Sequence, residues 1–429
     1  MKTLKIGQLG CGIVGSAVLR LLDRNASDIA HRVGARLEVE RIAVRNLSKE
    51  RDIPSSLHDK LTTDPHEVVQ DPSIDILVEV MGGIEPARAL LLEAIAAKKH
   101  IVTANKELLA SLGGELFAAA EANGVDLYYE AAVAGGIPLI RPLKESLAGE
   151  RVSKVMGIVN GTTNFILTRM SEEGLSFAEA LGEAERLGYT ELDPTADIEG
   201  FDPAAKAAIL ASLAFNTRVV SGDVYREGIA DITAQDIAYA KRLGYEVKLL
   251  AIAEEQDGQI AVRVHPAMIP QTHPLASVRD NLNAVFVQGA DVGELMFYGR
   301  GAGGPPTSVS VVGDITTVAR NVLSGGRGAG ESSYRTATIR SIDTMFSQYY
   351  ILLNVADRPG VLAAVASTFG DHNVSIASVW QEGFGDEAQL VMITHRAREK
   401  DLQATLHTLR ELDVVTKVAS VMRVEGSEA

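Results

Sequence analysis

The sequence predicts an α/β chain with an N-terminal doubly wound parallel sheet, a central α+β domain and a C-terminal βαββαβ module. Three observations predict it. Short β-rich runs alternate with helix-like segments from Leu4 to about Tyr129, which implies βαβ units. From about Glu130 to Arg300 the texture changes to strands of mixed pattern and longer helices. Tyr349–Val424 then reads strand, helix, strand, strand, helix, strand. With 429 residues the chain is too long for one ordinary domain. The expected division is 1–130, completed by about 306–325, then 131–305, a link at 326–348, and 349–425.

In the first part, Leu4–Leu9, Leu37–Val44, Ile74–Val80, Ile101–Thr103 and Val125–Tyr129 read as strands. Ile13–Arg24 and Pro86–Lys98 read as helices between them, and Asp28–Arg36 as an insertion. In the second, Ser176–Leu187 opens with a capping-box pair, Ser176 and Glu179, and Ala204–Phe215 is a second helix. A Gly/Pro-rich stretch from Gly299 to Pro306 precedes a helical segment at Ile315–Leu323. Ser324–Ser333 is rich in Gly, Ser and Arg and reads as a flexible link.

The net charge of −15 argues against nucleic acid or an anionic membrane surface as a partner. The single cysteine, Cys11, cannot form an internal disulfide, which fits a reducing compartment. The apolar run after Lys2 and Lys5 is broken by Gln8 and by glycines, so it reads as a strand and tight turn, not a leader. A cytoplasmic protein is the expectation.

Gly10-Cys11-Gly12-Ile13-Val14-Gly15 is G-x-G-x-x-G placed directly after a strand and opening a helix. In that setting the glycines permit a tight turn and close backbone approach to a pyrophosphate, with the helix N–H groups facing the phosphates. The expectation is a Rossmann-type dinucleotide site at Gly10, Gly12, Ile13, Val14 and Gly15. The end of the second strand offers Arg45, with Lys49 nearby and no acidic residue. An arginine there suits a 2′-phosphate, so NADP is favoured over NAD; an ordinary surface charge is the other reading.

The segment Ala184–Lys206 places five acidic residues between Glu191 and Asp202, ahead of a helix. Asp202-Pro203 reads as an N-cap and first helical residue. Lys206 then falls in the first turn, where the helix dipole disfavours a cation and nearby carboxylates favour it. It is either an acid/base group or the partner of Asp202 in a surface pair. Thr103-Ala104-Asn105-Lys106 follows a strand at the ligand-facing edge of the sheet, so Lys106 can reach the crevice. Glu130–Pro138 joins a carboxylate to an irregular Gly-rich backbone. It reads either as a crossover or as an oxygen-donor site for a monovalent cation.

Together these segments resemble the homoserine dehydrogenase family. Ala184, Gly188, Tyr189, Thr190, Asp193-Pro194, Asp197-Ile198, Gly200, Asp202 and Lys206 fit the family's signature. The match extends to Met81–Gly83, Thr103–Lys106, Glu130–Pro138 and Asn160–Asn164. The resemblance implies interconversion of L-aspartate 4-semialdehyde and L-homoserine, on the route to threonine, methionine and isoleucine. It implies Lys206 and Lys106 as acid/base groups, with Glu191, Asp197 and Asp202 holding the substrate's amino group or positioning the lysine. Gly161, Thr162 and Tyr189 would border the substrate, and Gly82, Thr103, Lys106, Gly188 and Gly303 the cofactor. A sodium or potassium ion would be held at Glu130 and by the carbonyls of Val133, Gly135 and Ile137.

Asp357-Arg358-Pro359-Gly360-Val361-Leu362 and Asn373-Val374-Ser375-Ile376 make the C-terminal module look like an ACT domain. That resemblance implies pairing across subunits in a homodimer or homotetramer and an amino-acid effector, L-threonine. A chain cut after about Ser333 is then expected to stay active and lose the response. A purely structural dimerisation role is the other reading of this module. For the whole chain the rival readings are another dehydrogenase of similar layout, acting on an amino acid or a different semialdehyde, and a non-catalytic sensor of dinucleotide and amino acid.

Overall fold

The computed structural model describes residues 1–190, 193–330, 335–383 and 388–426. By contacts the chain divides into two compact units. The first comprises Met1–Val155, Ala205–Val224 and Asn283–Ala337; the second comprises Met156–Ala204, Tyr225–Leu282 and Thr338–Ala429.

In the first unit a parallel sheet runs in the order Leu61–Thr62, Ala35–Ala43, Lys2–Leu9, Ile76–Glu79, His100–Thr103, Leu127–Tyr128. This is the doubly wound sheet that the strand–helix alternation predicts. Its strands are apolar because both faces are covered. Helix Ile13–Arg24 buries Ala17, Val18, Leu19 and Leu22, and shares a core with Val311, Val312, Ile315 and Val318 of helix Gly304–Ser324. That second helix starts well before the expected Ile315. Pro305 and Pro306 fall in its first turn, where a missing N–H costs nothing.

The expected insertion is a helix, Ala26–Val33, closed by Gly34 at φ +86°. The start of the expected flexible link is held instead. The Asp126 carboxylate accepts from Gly328 N (3.0 Å) and from Asn321 Nδ2 (2.8 Å), and Arg327 pairs with Glu121 at 3.1 Å.

The second unit is built on a hairpin of long strands, Tyr245–Gln256 and Gln259–Pro270, paired antiparallel. Helix Phe177–Arg186 begins with the expected capping box of Ser176 and Glu179. The C-terminal module has strands Phe346–Val355, Ile376–Glu382, Gln389–Thr394 and Val415–Val424, with helices Val361–Asp371 and Glu399–Arg410. Its last strand lies between Phe346–Val355 and the hairpin, pairing parallel with Gln259–Pro270 through Ala267↔Arg423 and Met268↔Val424.

Charges seal that seam. Buried Arg263 donates to Glu254 (2.9 Å) and Glu425 (2.8 Å). Buried Arg423 pairs with Glu227 and Glu399, both at 2.9 Å. The module therefore shares a sheet with the central hairpin, so a cut after about Ser333 takes a strand out of that sheet.

Candidate functional site

The glycine loop is shaped by three different constraints. Gly10 has φ +97°, and a Cβ there would lie 2.8 Å from the Val80 carbonyl. A Cβ on Gly15 would lie 2.5 Å from the Gly10 carbonyl, so this glycine serves helix–strand packing. Gly12 has no atom within 4 Å of such a Cβ: its bare backbone faces open space at the N-cap of helix Ile13–Arg24. A pyrophosphate fits these residues, since an exposed helix N-terminus without a side chain in front of it is what an anion needs. Val14 follows within the first turn, and Ile13 is exposed beside it. Gly10 N donates to Ala43 O (3.0 Å), docking the loop on the second strand, whose end leads to exposed Arg45 and Lys49. Gly303, at φ +108°, caps the helix whose first residue, Gly304, sits against Ile13.

A buried carboxylate that sequence reading missed organises the neighbouring strand ends. Glu79 is fully buried; it accepts from Met81 N (2.8 Å), Gly82 N (3.1 Å) and Thr103 Oγ1 (2.6 Å). Burial raises its pKa while these donors lower it. Asn105 caps helix Lys106–Asn123 by accepting from Leu108 N, and donates to Gly83 O at 2.7 Å. Gly82, Thr103 and half-buried Lys106 are thus brought together at the carboxyl edge of the sheet. The sequence signal was a glutamate one residue before the end of the run Ile74–Val80, flanked by Val78 and Val80.

In the second unit Asn160 is the organiser. It caps helix Gly161–Glu173, its Oδ1 accepting from Thr163 N (2.9 Å). That bond turns its Nδ2 toward Asp197 Oδ1 (2.7 Å) and Asp202 Oδ2 (2.8 Å). One buried amide thereby fixes two half-buried carboxylates side by side. Thr162 Oγ1 donates to Tyr189 O (2.7 Å), and the Tyr189 ring meets Phe165 edge-on at 5.0 Å. Gly188, at φ +72°, ends the preceding helix.

Asp202 is not the expected N-cap. Helix Phe201–Phe215 starts one residue before it, after Gly200 at φ +80°, and the Asp202 carboxylate accepts from Asn160 instead. Lys206 follows one turn later and is buried. Glu191 lies outside the described residues.

The Glu130 carboxylate accepts from Leu139 N (2.5 Å), Ile140 N (2.8 Å) and Arg141 N (2.9 Å). Its N–H donates to Asp314, whose pKa burial and the Glu130 charge push up to about 7. The buried carbonyls of Val133, Gly135 and Ile137 accept no hydrogen bond among the described residues. Buried orphan oxygens fit a hard cation. The Glu130 side chain already accepts three N–H groups, which leaves its backbone oxygen and little of its carboxylate capacity for such a role.

The chain matches three family models: "Homoserine dehydrogenase, NAD binding domain" over 10–130, "Homoserine dehydrogenase" over 138–316, and "ACT domain" over 349–414. Homoserine dehydrogenase of Mycobacterium tuberculosis is 50% identical over 437 residues, covering 99% of this chain and 98% of that one. A homoserine dehydrogenase structure from Thiobacillus denitrificans aligns at TM-score 0.93 with 41% identity, over 99% of both chains. A hyperthermophilic archaeal homoserine dehydrogenase in complex with NADPH aligns at TM-score 0.63 with 28% identity, over 74% of this chain and 97% of that one.

Proposed function

The chain belongs to the homoserine dehydrogenase family, and from that premise we propose that it interconverts L-aspartate 4-semialdehyde and L-homoserine with NADP(H). The observation that carries this reading is the Asn160 amide holding Asp197 and Asp202 together within the segment matched by the catalytic family model. Two adjacent carboxylates suit the ammonium group that both substrate and product carry. Lys206 and Lys106 act as the acid/base groups: one delivers a proton to the carbonyl oxygen during reduction, and their charge offsets the developing alkoxide. Glu191 adds to the carboxylates at the amino group. Gly161, Thr162 and Tyr189 border the substrate. When bound, the nicotinamide supplies or accepts the hydride.

The pyrophosphate sits at Gly10–Gly15, with Gly82, Thr103, Gly188 and Gly303 along the cofactor. Exposed Arg45, with Lys49 behind it, faces a 2′-phosphate; the NADPH bound by the archaeal relative supports that choice. A sodium or potassium ion is held by the backbone oxygens of Glu130, Val133, Gly135 and Ile137, bracing the crossover. The ACT module binds an amino acid, L-threonine, and assembles with a second copy in a homodimer or homotetramer. The setting is cytoplasmic; among the described residues no helix is long and apolar enough to cross a membrane.

The test is an initial-rate assay of NADPH consumption with L-aspartate 4-semialdehyde in monovalent salt, with and without L-threonine. Turnover that depends on the semialdehyde supports the reading. Binding of NADPH without turnover by the folded chain would overturn it in favour of a sensor. The threonine response is read on the intact chain, because truncation removes a strand from the sheet of the central hairpin.

A further inference from the structure

Strand Tyr245–Gln256 is buried along most of its length, and near its start stands Lys248, 1% exposed. A cation in that position carries a large desolvation cost that an apolar residue would avoid. The cost is offset only if its donors do something an apolar side chain cannot. Lys248 Nζ donates to the Val278 carbonyl at 2.6 Å and to Asn164 Oδ1 at 3.0 Å.

Asn164 is itself buried and completes the same knot. Its Nδ2 donates to the carbonyls of Asp280 (2.8 Å), Leu282 (3.3 Å) and Val278 (3.4 Å). The loop 278–282, with Asp280 at φ +53°, is thereby tied to the first turn of helix Gly161–Glu173. The loop also presses on the helix start: the Asn281 carbonyl lies 2.6 Å from where a Cβ on Gly161 would be. One residue before Gly161 stands Asn160, whose amide holds Asp197 and Asp202.

We propose that Lys248 is a positioning residue for the substrate site, acting through Asn164 and the 278–282 loop to set the angle of the Asn160 cap. It touches neither substrate nor cofactor in this role. The proposal rests on the reading of Asp197 and Asp202 as the substrate's ammonium site. The charged groups around Lys248 are Arg279, Glu246, Glu172 and Asp280; Arg279 pairs with Glu172 at 2.7 Å, and Glu246 accepts from Ser171. Burial lowers Lys248 to about 8, Arg279 pushes the same way, and the three carboxylates oppose them. The charged form that grips both carbonyl oxygens thus prevails at neutral pH and fades above it.

The experiment compares wild type, Lys248→Met, Asn164→Ala and the double variant in steady-state kinetics. Lys248→Met should raise KM for the amino-acid substrate about tenfold, with a smaller change in kcat and an unchanged KM for NADPH. Because Lys248 acts through Asn164, the double variant should be no worse than Asn164→Ala alone. Wild-type KM should rise above about pH 8, and that rise should weaken in Lys248→Met.

The folded-state pKa lies below the unfolded one. Wild type should therefore gain stability relative to Lys248→Met as pH rises from about 8 toward 10.5. Should Lys248→Met fail to fold, Lys248→Gln keeps a donor for Val278 and should restore much of the KM. Unchanged kinetics in a folded Lys248→Met would overturn the proposal alone, as would equal losses in kcat and NADPH binding. No turnover by wild type would overturn the activity beneath it, and the proposal with it.

Discussion

Replacing Asn160 separates the two jobs of one amide. Asn160→Ala deletes a helix N-cap, worth about 1 kcal/mol of stability, and two hydrogen bonds to carboxylates. Bonds to charged groups are worth about 1.5–3 kcal/mol each when buried. Asp197 and Asp202 stand at 2.7 and 2.8 Å from the same nitrogen, so their spacing depends on it. If half of the energy of these bonds is expressed in the transition state, about 1.5–3 kcal/mol, kcat/KM falls by roughly 10- to 150-fold.

Asn160→Asp is the decisive companion, because aspartate caps a helix as well as asparagine does. It replaces the shared donor with a third carboxylate beside the other two, so its kcat/KM should fall at least as far as that of Asn160→Ala. NADPH-consumption rates with the semialdehyde measure the first quantity, and urea unfolding the second. An Asn160→Asp enzyme within about threefold of wild type would mean that the cap alone matters. The assignment of the carboxylate pair would then be refuted.

Three other outcomes follow from the same geometry. Gly12→Ala should keep the folding stability of wild type, because its Cβ enters open space, while NADPH binding by titration weakens tenfold or more; Gly15→Ala should lose stability instead, and equal thermal midpoints for the two would contradict this. Glu425→Ala leaves buried Arg263 with Glu254 alone, and urea unfolding should show a loss of about 3 kcal/mol; a loss under about 1 kcal/mol would mean that the seam is not held by charge. For Asp314, burial holds the folded pKa near 7, above the unfolded 3.8. The folded state therefore keeps a proton that the unfolded chain has lost between those values, and stability falls as pH rises through that window. Asp314→Asn should remove this slope, and parallel pH profiles of unfolding for the two proteins would argue against it.

Much of the architecture was legible because it is local. The glycine loop is six residues long, and its strand and helix flank it directly. The box of Ser176 and Glu179 spans one turn, and the D-x-P-G turn at Asp357–Gly360 opens its helix as expected. The signature around Asp197 to Lys206 was readable as a resemblance, yet the residues alone misplaced Asp202 as a cap. The start of that helix is set by Gly200 in the left-handed region, a backbone conformation that residue types only hint at.

Where strands, helices and chemistry-bearing segments lie follows from the order of residues alone, since periodicity, caps and turns act over a few positions. Which of those segments meet is fixed by the packing of the folded chain. Asn160 reaches carboxylates 37 and 42 residues away, Glu130 leans on Asp314 across 184, and Arg263 finds Glu425 across 162. Glu79 and Lys248 stand in buried strands, and their distant partners, the Thr103 hydroxyl and the Val278 carbonyl, are supplied by other segments. A buried charge requires partners, but a one-dimensional pattern does not say which ones, because the partners are chosen by the packing of sheet and helix.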